Sequence, residues 1–310
     1  MDEIIAKATD VEVIYGDHAA LNKINMSVKK GDIYALVGKN GAGKTTLLRL
    51  FTGQNAPDYG SIELFGKTGT SGLNNARHRT GAIIETPAFY PFFSAERNLE
   101  YYRIQRGISD SGVVERVLKE TGLYEARDKK FRDYSLGMKQ RLGIALALMH
   151  DPEFLILDEP INGLDPAGIV DMRKLMLKLN KEKGLTIIIS SHILSELANM
   201  ATCYGFIDNG EILKEMTAAE LDAVEQSYIK LRTSNGADAA EDIKEELKLD
   251  ASYSADDDTI YIHFKNNEIY PTEKLSRFIF EKNYDLYLLE IVKATLEDYF
   301  IELLGDKTIA

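Results

Sequence analysis

The chain has 310 residues, a formal net charge of −12, and hydrophobic and charged fractions of 45% and 28%, the balance of a soluble protein long enough for two domains. The charge is uneven: residues 222–310 hold 20 acidic and 10 basic side chains, which argues against nucleic acid as a partner of that part. The best apolar run, Leu142 to Met149, is too short for a membrane span, the N-terminus lacks a signal-peptide layout, and the single Cys203 excludes an internal disulfide and fits a reducing compartment.

Up to residue 37 the chain alternates apolar and polar residues in short runs, such as Val11 to Tyr15 and Ile24 to Val28, which predicts strands with a turn at Gly31-Asp32. The apolar run Ile33 to Val37 reads as a buried strand, and Thr46 to Phe51 reads as a helix. Between them, Gly38 to Thr46 fits the G-x-x-x-x-G-K-[ST] pattern. Strand, glycine loop and helix N-terminus together make an anion site, because glycines let backbone N–H groups crowd round a phosphate and the helix adds partial positive charge. Gly38, Asn40, Gly41, Ala42, Gly43, Lys44, Thr45 and Thr46 are therefore expected around a nucleoside triphosphate. Lys44 is expected to bridge the β- and γ-phosphates, and the Thr45 hydroxyl to hold Mg²⁺.

Gly60 to Gly66 reads as a short strand. From about residue 87 to 149 the pattern turns helical, with candidates at Glu96 to Arg106, Gly112 to Thr121 and Gly137 to Met149. Phe154 to Leu157 is a buried strand that ends in Asp158-Glu159. In an open parallel sheet that end of a strand is where ligands bind, so Asp158 is expected in the Mg²⁺ shell and Glu159 as the general base that polarises water. A helix follows from Asp165 to Lys183 and stops at Gly184. Leu185 to Ser190 is a further buried strand, Ile193 to Met200 a helix, and Gly205 to Leu213 a hairpin around Asn209-Gly210. Buried strands alternating with helices predict a parallel sheet with crossover helices.

After Leu221 the character changes, which places a domain boundary between residues 1–221 and 222–310. The second part reads as a small α+β domain: strand Tyr228 to Leu231, helix Ala239 to Leu247, strand Thr259 to Phe264, helix Thr272 to Lys282, strand Tyr284 to Ile291 and helix Thr295 to Leu304. The order becomes β-α-β-β-α-β if a weak strand lies near Ser252. No catalytic constellation falls in it.

Residues 3–221 resemble the nucleotide-binding subunit of an ABC (ATP-binding cassette) transporter, with motifs in the family's order. Tyr15, 23 residues before Gly38, resembles the aromatic residue that stacks on adenine, and Tyr134 to Arg141 resembles the ABC signature. Ser135 and Gly137 match that signature's main positions, while Leu136 and Met138 depart from it. Ser135 also fits an ordinary helix N-cap, and the two roles are compatible. Asn162 to Asp165 resembles the D-loop, and His192, 33 residues after Glu159, resembles the switch histidine. The family usually has glutamine where this chain has Glu85, which is expected to reach Mg²⁺ through a carboxylate oxygen and to add negative charge beside the γ-phosphate.

The resemblance implies an α/β P-loop NTPase core of ABC type, with an antiparallel β-subdomain and a helical subdomain, plus the C-terminal α+β domain. It implies ATP and Mg²⁺ as ligands, ATP hydrolysis, and a second copy of the chain whose Ser135 and Gly137 complete each ATP site. It also implies an integral-membrane permease on another chain, at the cytoplasmic face of the membrane. The aromatic residues Phe89, Tyr90, Phe92 and Phe93 line either the permease groove or an internal core. Ile84 to Pro87, Tyr134 to Met138 and the appended domain are similar to the bacitracin- and lantibiotic-type peptide export branch. The rival is a soluble ABC ATPase acting on nucleic acid or the ribosome; a single cassette without a long coiled-coil insertion disfavours it.

Overall fold

The computed structural model describes residues 3–85, 88–197, 200–224, 228–263, 272–292 and 296–305. Thr86, Pro87, Ala198, Asn199, Phe264 and Thr295, which belong to expected motifs or elements, lie outside the described residues. Contacts divide the chain into two units, Met1–Ala218 and Ala219–Ala310.

In the first unit the elements run β1 (Ile4–Tyr15), β2 (His18–Lys29), β3 (Ile33–Val37), α1 (Lys44–Thr52), β4 (Tyr59–Leu64), α2 (Gly69–Arg77), β5 (Thr80–Ile83), α3 (Ala95–Gln105), α4 (Val113–Glu120) and α5 (Leu136–Leu148). They continue through β6 (Phe154–Asp158), α6 (Pro166–Lys183), β7 (Thr186–Ser191), α7 (Leu194–Leu197), β8 (Cys203–Asp208) and β9 (Glu211–Thr217). Two sheets result. One is antiparallel, in the order β2-β1-β4; the other has six strands in the order β5-β6-β7-β3-β8-β9, parallel except for β9. Every residue of β3, β6 and β7 is buried, as the continuous apolar runs require for strands covered on both faces. Leu21, Ile24, Leu47, Phe51 and Ile62 join β2, α1 and β4 in one core cluster, which locks the antiparallel sheet to the P-loop helix. Asn209 and Gly210 both take positive φ, the geometry of a tight two-residue hairpin.

Register positions the chemistry. Val37 pairs with Ser191, and Asp158 with Ser190, so the carboxyl ends of β3, β6 and β7 finish side by side. The residues that follow, Gly38, Glu159 and His192, emerge along one edge of the sheet.

The expected helices of the 87–149 segment are present within one or two residues of their expected ends. Helix α2 has no counterpart in the sequence expectations. Its Gly69, Gly72, Asn74 and Asn75 are poor helix formers, and only Ala76 is buried, so propensity and periodicity were both silent.

The second unit opens with most of α8 (Ala218–Val224) and continues β10 (Tyr228–Thr233), α9 (Gly236–Glu246), β11 (Asp250–Ser254), β12 (Thr259–His263), α10 (Thr272–Glu281), β13 (Leu286–Val292) and α11 (Leu296–Gly305). The weak strand near Ser252 is present as β11, and the antiparallel order β11-β12-β10-β13 is a split β-α-β arrangement. Ile229, Leu231, Ile243, Ile260, Ile262 and Leu275 form its own core.

Candidate active site

The phosphate loop owes its shape to what glycine lacks. A Cβ at Gly38 would run into the Ile207 carbonyl, and one at Gly43 would meet Leu21 Cδ2 at 2.8 Å and the Ala20 carbonyl at 2.9 Å. Gly43 sits at φ 106 and caps α1 without a side-chain hydrogen bond, so the first N–H groups of that helix remain available to an anion. The Lys44 side chain folds back along the loop. Its Nζ donates to the carbonyls of Gly38 at 2.6 Å and Lys39 at 3.1 Å, and lies 3.2 Å from Glu159 Oε1.

Two hydrogen-bonded chains meet here. In the first, Thr45 Oγ1 donates to Asp158 Oδ2 at 2.8 Å, and Ser190 Oγ donates to Asp158 Oδ1 at 2.6 Å while accepting from the Glu159 backbone N–H at 2.9 Å. In the second, Glu159 Oε2 lies 2.8 Å from His192 Nδ1. An ionised carboxylate only accepts, so Nδ1 carries the proton of that bond. Glu159 adopts φ 47, left-handed backbone that an unbranched residue holds at some cost and that is common at functional turns.

A pocket of about 340 Å³ brings together Tyr15, Asn40, Gly41, Gly43, Lys44, Thr45, Thr46 and Glu159 of the expected set. His192 and Asp158 join it through Glu159 and Thr45. The Ala42 side chain belongs to the hydrophobic core, which leaves its backbone for the loop. Tyr15 is half exposed at the rim, and Asn55 Nδ2 donates to its hydroxyl at 2.6 Å.

Four expected residues, Ser135, Gly137, Asp165 and Glu85, neither line this pocket nor hydrogen-bond to the residues that do. Ser135 caps α5, accepting from Met138 N at 3.3 Å, and a Cβ on Gly137 would meet nothing closer than Leu164 Cδ2 at 3.7 Å. Asp165 caps α6 through Gly168 N at 3.0 Å. Glu85, at φ 66, is ion-paired with Arg49 of α1 and not with Thr45 or Asp158. Sequence reasoning missed His18 and Ser190 as site residues. A polar residue at the end of the apolar run Ile187 to Ile189 was the available signal for Ser190. The aromatic segment divides. Phe89 packs on Phe131 and Tyr102, with ring centroids at 5.0 and 5.8 Å, whereas Tyr90 and Phe92 are exposed.

A larger cleft of about 610 Å³ between α1, β4 and α2 holds a single titratable side chain, Arg77, and none of the chemistry above.

The ABC transporter family model matches residues 21–162. Over 309 residues, 99% of each chain, the protein is 38% identical to the bacitracin transport ATP-binding protein BcrA of Enterococcus faecalis. The chain belongs to the ABC transporter family. This ABC cassette is an ATP-binding transport subunit and an ATPase. It is also 41% identical over 209 residues, 67% of this chain and 89% of the other, to the lantibiotic transport ATP-binding protein SrtF of Streptococcus pyogenes. Among solved structures the cassette resembles cbiO1 of Clostridium perfringens, part of the ABC transporter complex cbiONQ, with a TM-score of 0.65 and 27% identity over 80% of this chain and 97% of that one. The paired sheets and helical segment are those expected of an ABC core.

Proposed function

We propose that the protein hydrolyses ATP in a dimer of two identical chains and so powers export of a peptide antibiotic or similar compound through a separate integral-membrane permease. The observation that carries the hydrolytic reading is the convergence of Lys44, Glu159 and His192 on the N-terminus of α1. The transported class follows the relatives named for bacitracin and lantibiotic transport.

The residues fit a magnesium ion. Thr45 Oγ1 and Asp158 Oδ2 stand together as hard oxygen donors, and among the described residues no cluster of three or more His, Cys, Asp or Glu is arranged to hold a metal alone. Mg²⁺ is commonly held by one or two protein oxygens together with substrate phosphates, and Thr45 and Asp158 are the residues for it here. When bound, it neutralises charge on the phosphate oxygens. Tyr15 stacks on adenine, and Lys44 with the loop N–H groups holds the β- and γ-phosphates. Glu159 takes a proton from the attacking water as the new oxygen–phosphorus bond forms and the bond to the β-phosphate oxygen breaks, releasing ADP and phosphate. The Nδ1–H of His192 orients Glu159 for that transfer.

Ser135 and Gly137 serve the ATP of the opposite subunit, and Asp165 lies on the loop between the two sites. A Cβ at Gly137 would make only an ordinary van der Waals contact with Leu164, so nothing within the subunit requires a glycine there, which supports this reading. Tyr90 and Phe92 offer an exposed apolar surface to the permease, and the protein works at the cytoplasmic face of the membrane. No helix among the described residues is long and apolar enough to cross a membrane. Nucleic acid is not proposed as a partner.

The experiment is ATP-dependent dimerisation and phosphate release by Gly137→Asp. The variant is expected to stay folded, because a Cβ there meets only Leu164 Cδ2 at an ordinary 3.7 Å, but to form no ATP-dependent dimer and to lose hydrolysis. Wild-type dimerisation and turnover by a folded Gly137→Asp would overturn the composite site.

A further inference from the structure

Tyr15 ends β1 beyond the reach of β4. The last register pair between those two strands is Glu12 with Tyr59, short of Tyr15. The loop between α1 and β4 takes over from there. Ile14 N donates to Asp58 Oδ2 at 2.7 Å, and Asn55 Nδ2 donates to the Tyr15 hydroxyl at 2.6 Å. Two side chains of one loop thus hold the backbone and the ring tip of a segment far away in the chain, Asn55 lying 40 positions from Tyr15.

The loop does not need the second of these bonds for its own shape. Gly53 N donates to the Leu50 carbonyl at 3.2 Å, and Gln54 N and Asn55 N donate to the Arg49 carbonyl at 3.0 and 3.2 Å, which closes α1. Gly53, at φ 81, supplies the left-handed cap, and Asp58 N donates to the Glu12 carbonyl at 2.9 Å. Main-chain bonds therefore anchor this loop at both ends. What the Asn55 amide fixes is the ring. Tyr15 is half exposed and is followed by the exposed turn Gly16-Asp17, so a ring without a partner there would sample several rotamers. A ring held in one rotamer before the ligand arrives loses less freedom on stacking, and that saving appears as affinity.

The same helix carries the other half of the nucleotide site. Gly43 caps α1, Lys44 and Thr45 open it, and the loop that holds Tyr15 leaves its C-terminus. Its nine residues span about 13 Å at about 1.5 Å per residue. Leu47, Leu48, Leu50 and Phe51 are buried, which seats the helix as a fixed spacer between the phosphate loop and the clamp on the ring.

We infer that Asn55 is a positioning residue for ATP. It acts through the Tyr15 hydroxyl, so this position requires tyrosine and not only an aromatic side chain. The inference rests on the reading of Tyr15 as the residue that stacks on adenine. It adds that the ring is poised from the far end of the phosphate-binding helix.

The test measures the affinity of the full chain for Mg–ATP and for Mg–tripolyphosphate by calorimetric titration, with each variant checked by thermal melting. Asn55→Ala and Tyr15→Phe are each expected to weaken ATP binding about three- to tenfold, the range of one hydrogen bond. Steady-state kinetics should show the loss in KM, with kcat at saturation within about twofold of wild type. Tripolyphosphate has no base, so its affinity should hold. The double variant should bind ATP no worse than either single one. Asn55→Asp, whose carboxylate can accept from the Tyr15 hydroxyl, should recover most of the loss. Wild-type ATP affinity in a folded Asn55→Ala or Tyr15→Phe, additive losses, no recovery in Asn55→Asp, or an equal loss of tripolyphosphate affinity would overturn the clamp. If Asn55→Ala does not fold, Tyr15→Phe and Asn55→Asp carry the test. Tyr15→Ala separates the two readings. Weaker ATP binding in Tyr15→Ala alone removes the role of Asn55 and leaves stacking in place, whereas wild-type affinity in Tyr15→Ala overturns the stacking and the inference with it.

Discussion

The Lys44 ammonium stands 3.2 Å from one oxygen of Glu159, while the other oxygen is bound to His192 at 2.8 Å. The carboxylate that should accept a proton is thus fixed from both sides, and the lysine that should meet the phosphates is charge-compensated within a buried site. Glu159→Gln keeps the shape but removes the proton acceptor. Hydrolysis is expected to fall by about 10²–10⁴-fold, the usual worth of a positioned base. ATP affinity is expected to hold or rise, because a neutral amide competes less for Lys44. Phosphate release and equilibrium nucleotide binding measured on the same preparation check this; turnover within tenfold of wild type removes Glu159 from the role.

Ser190 joins the two acidic positions, donating to Asp158 and accepting from the Glu159 N–H, and it is fully buried. Ser190→Ala leaves both groups without that partner. Such a loss costs about 1–3 kcal/mol, visible as a lower urea midpoint with an unchanged slope. A weaker response of nucleotide affinity to Mg²⁺ is expected alongside it, since Asp158 loses one of its two fixed donors.

The Arg49–Glu85 pair tests what glutamate does where the family usually has glutamine. We expect Arg49→Gln to lower ATPase activity in the presence of Glu85 and to have little effect in a Glu85→Gln background, because the arginine then has no carboxylate to neutralise. Glu85→Ala should uncouple stimulation by the permease. Additive effects in the double-mutant cycle would show that the two side chains act independently. Wild-type rates and coupling in both Glu85→Gln and Glu85→Ala would deny Glu85 any role.

Glu215 gives a pH dependence outside the active site. Burial raises its carboxyl above its ordinary 4.5, and bonds from Ser27 N and the Tyr34 hydroxyl oppose that rise. The folded state therefore holds the proton more tightly than the unfolded one. That contribution is present in full at pH below 4.5 and is lost as pH rises from there through the folded value. Glu215→Gln keeps an acceptor for Tyr34 without the ionisation. Its melting temperature should match wild type in acid and exceed it at neutral pH; the opposite ordering would contradict the raised value.

The amino-acid sequence by itself determined the local pieces. Gly38 to Thr46 could be read as a phosphate loop because backbone sterics at glycine act over a few residues, and the buried strands because apolar runs such as Phe154 to Leu157 have one low-energy fate. The order Lys44, Asp158, Glu159, His192 was legible for the same reason: each follows a strand. Helix α2 was not legible, since its residues carry neither propensity nor period. Only the tertiary structure decided which distant side chains meet. The strand order β5-β6-β7-β3-β8-β9 puts Ser190 against Asp158, 32 positions away in the chain, and the packing of α1 on β6, the neighbour of β5, brings Arg49 to Glu85. Arg77, His78, Arg106 and His150, from the ends of α2, α3 and α5, likewise meet around one cleft along β5, and no local pattern in the sequence records that these ends converge.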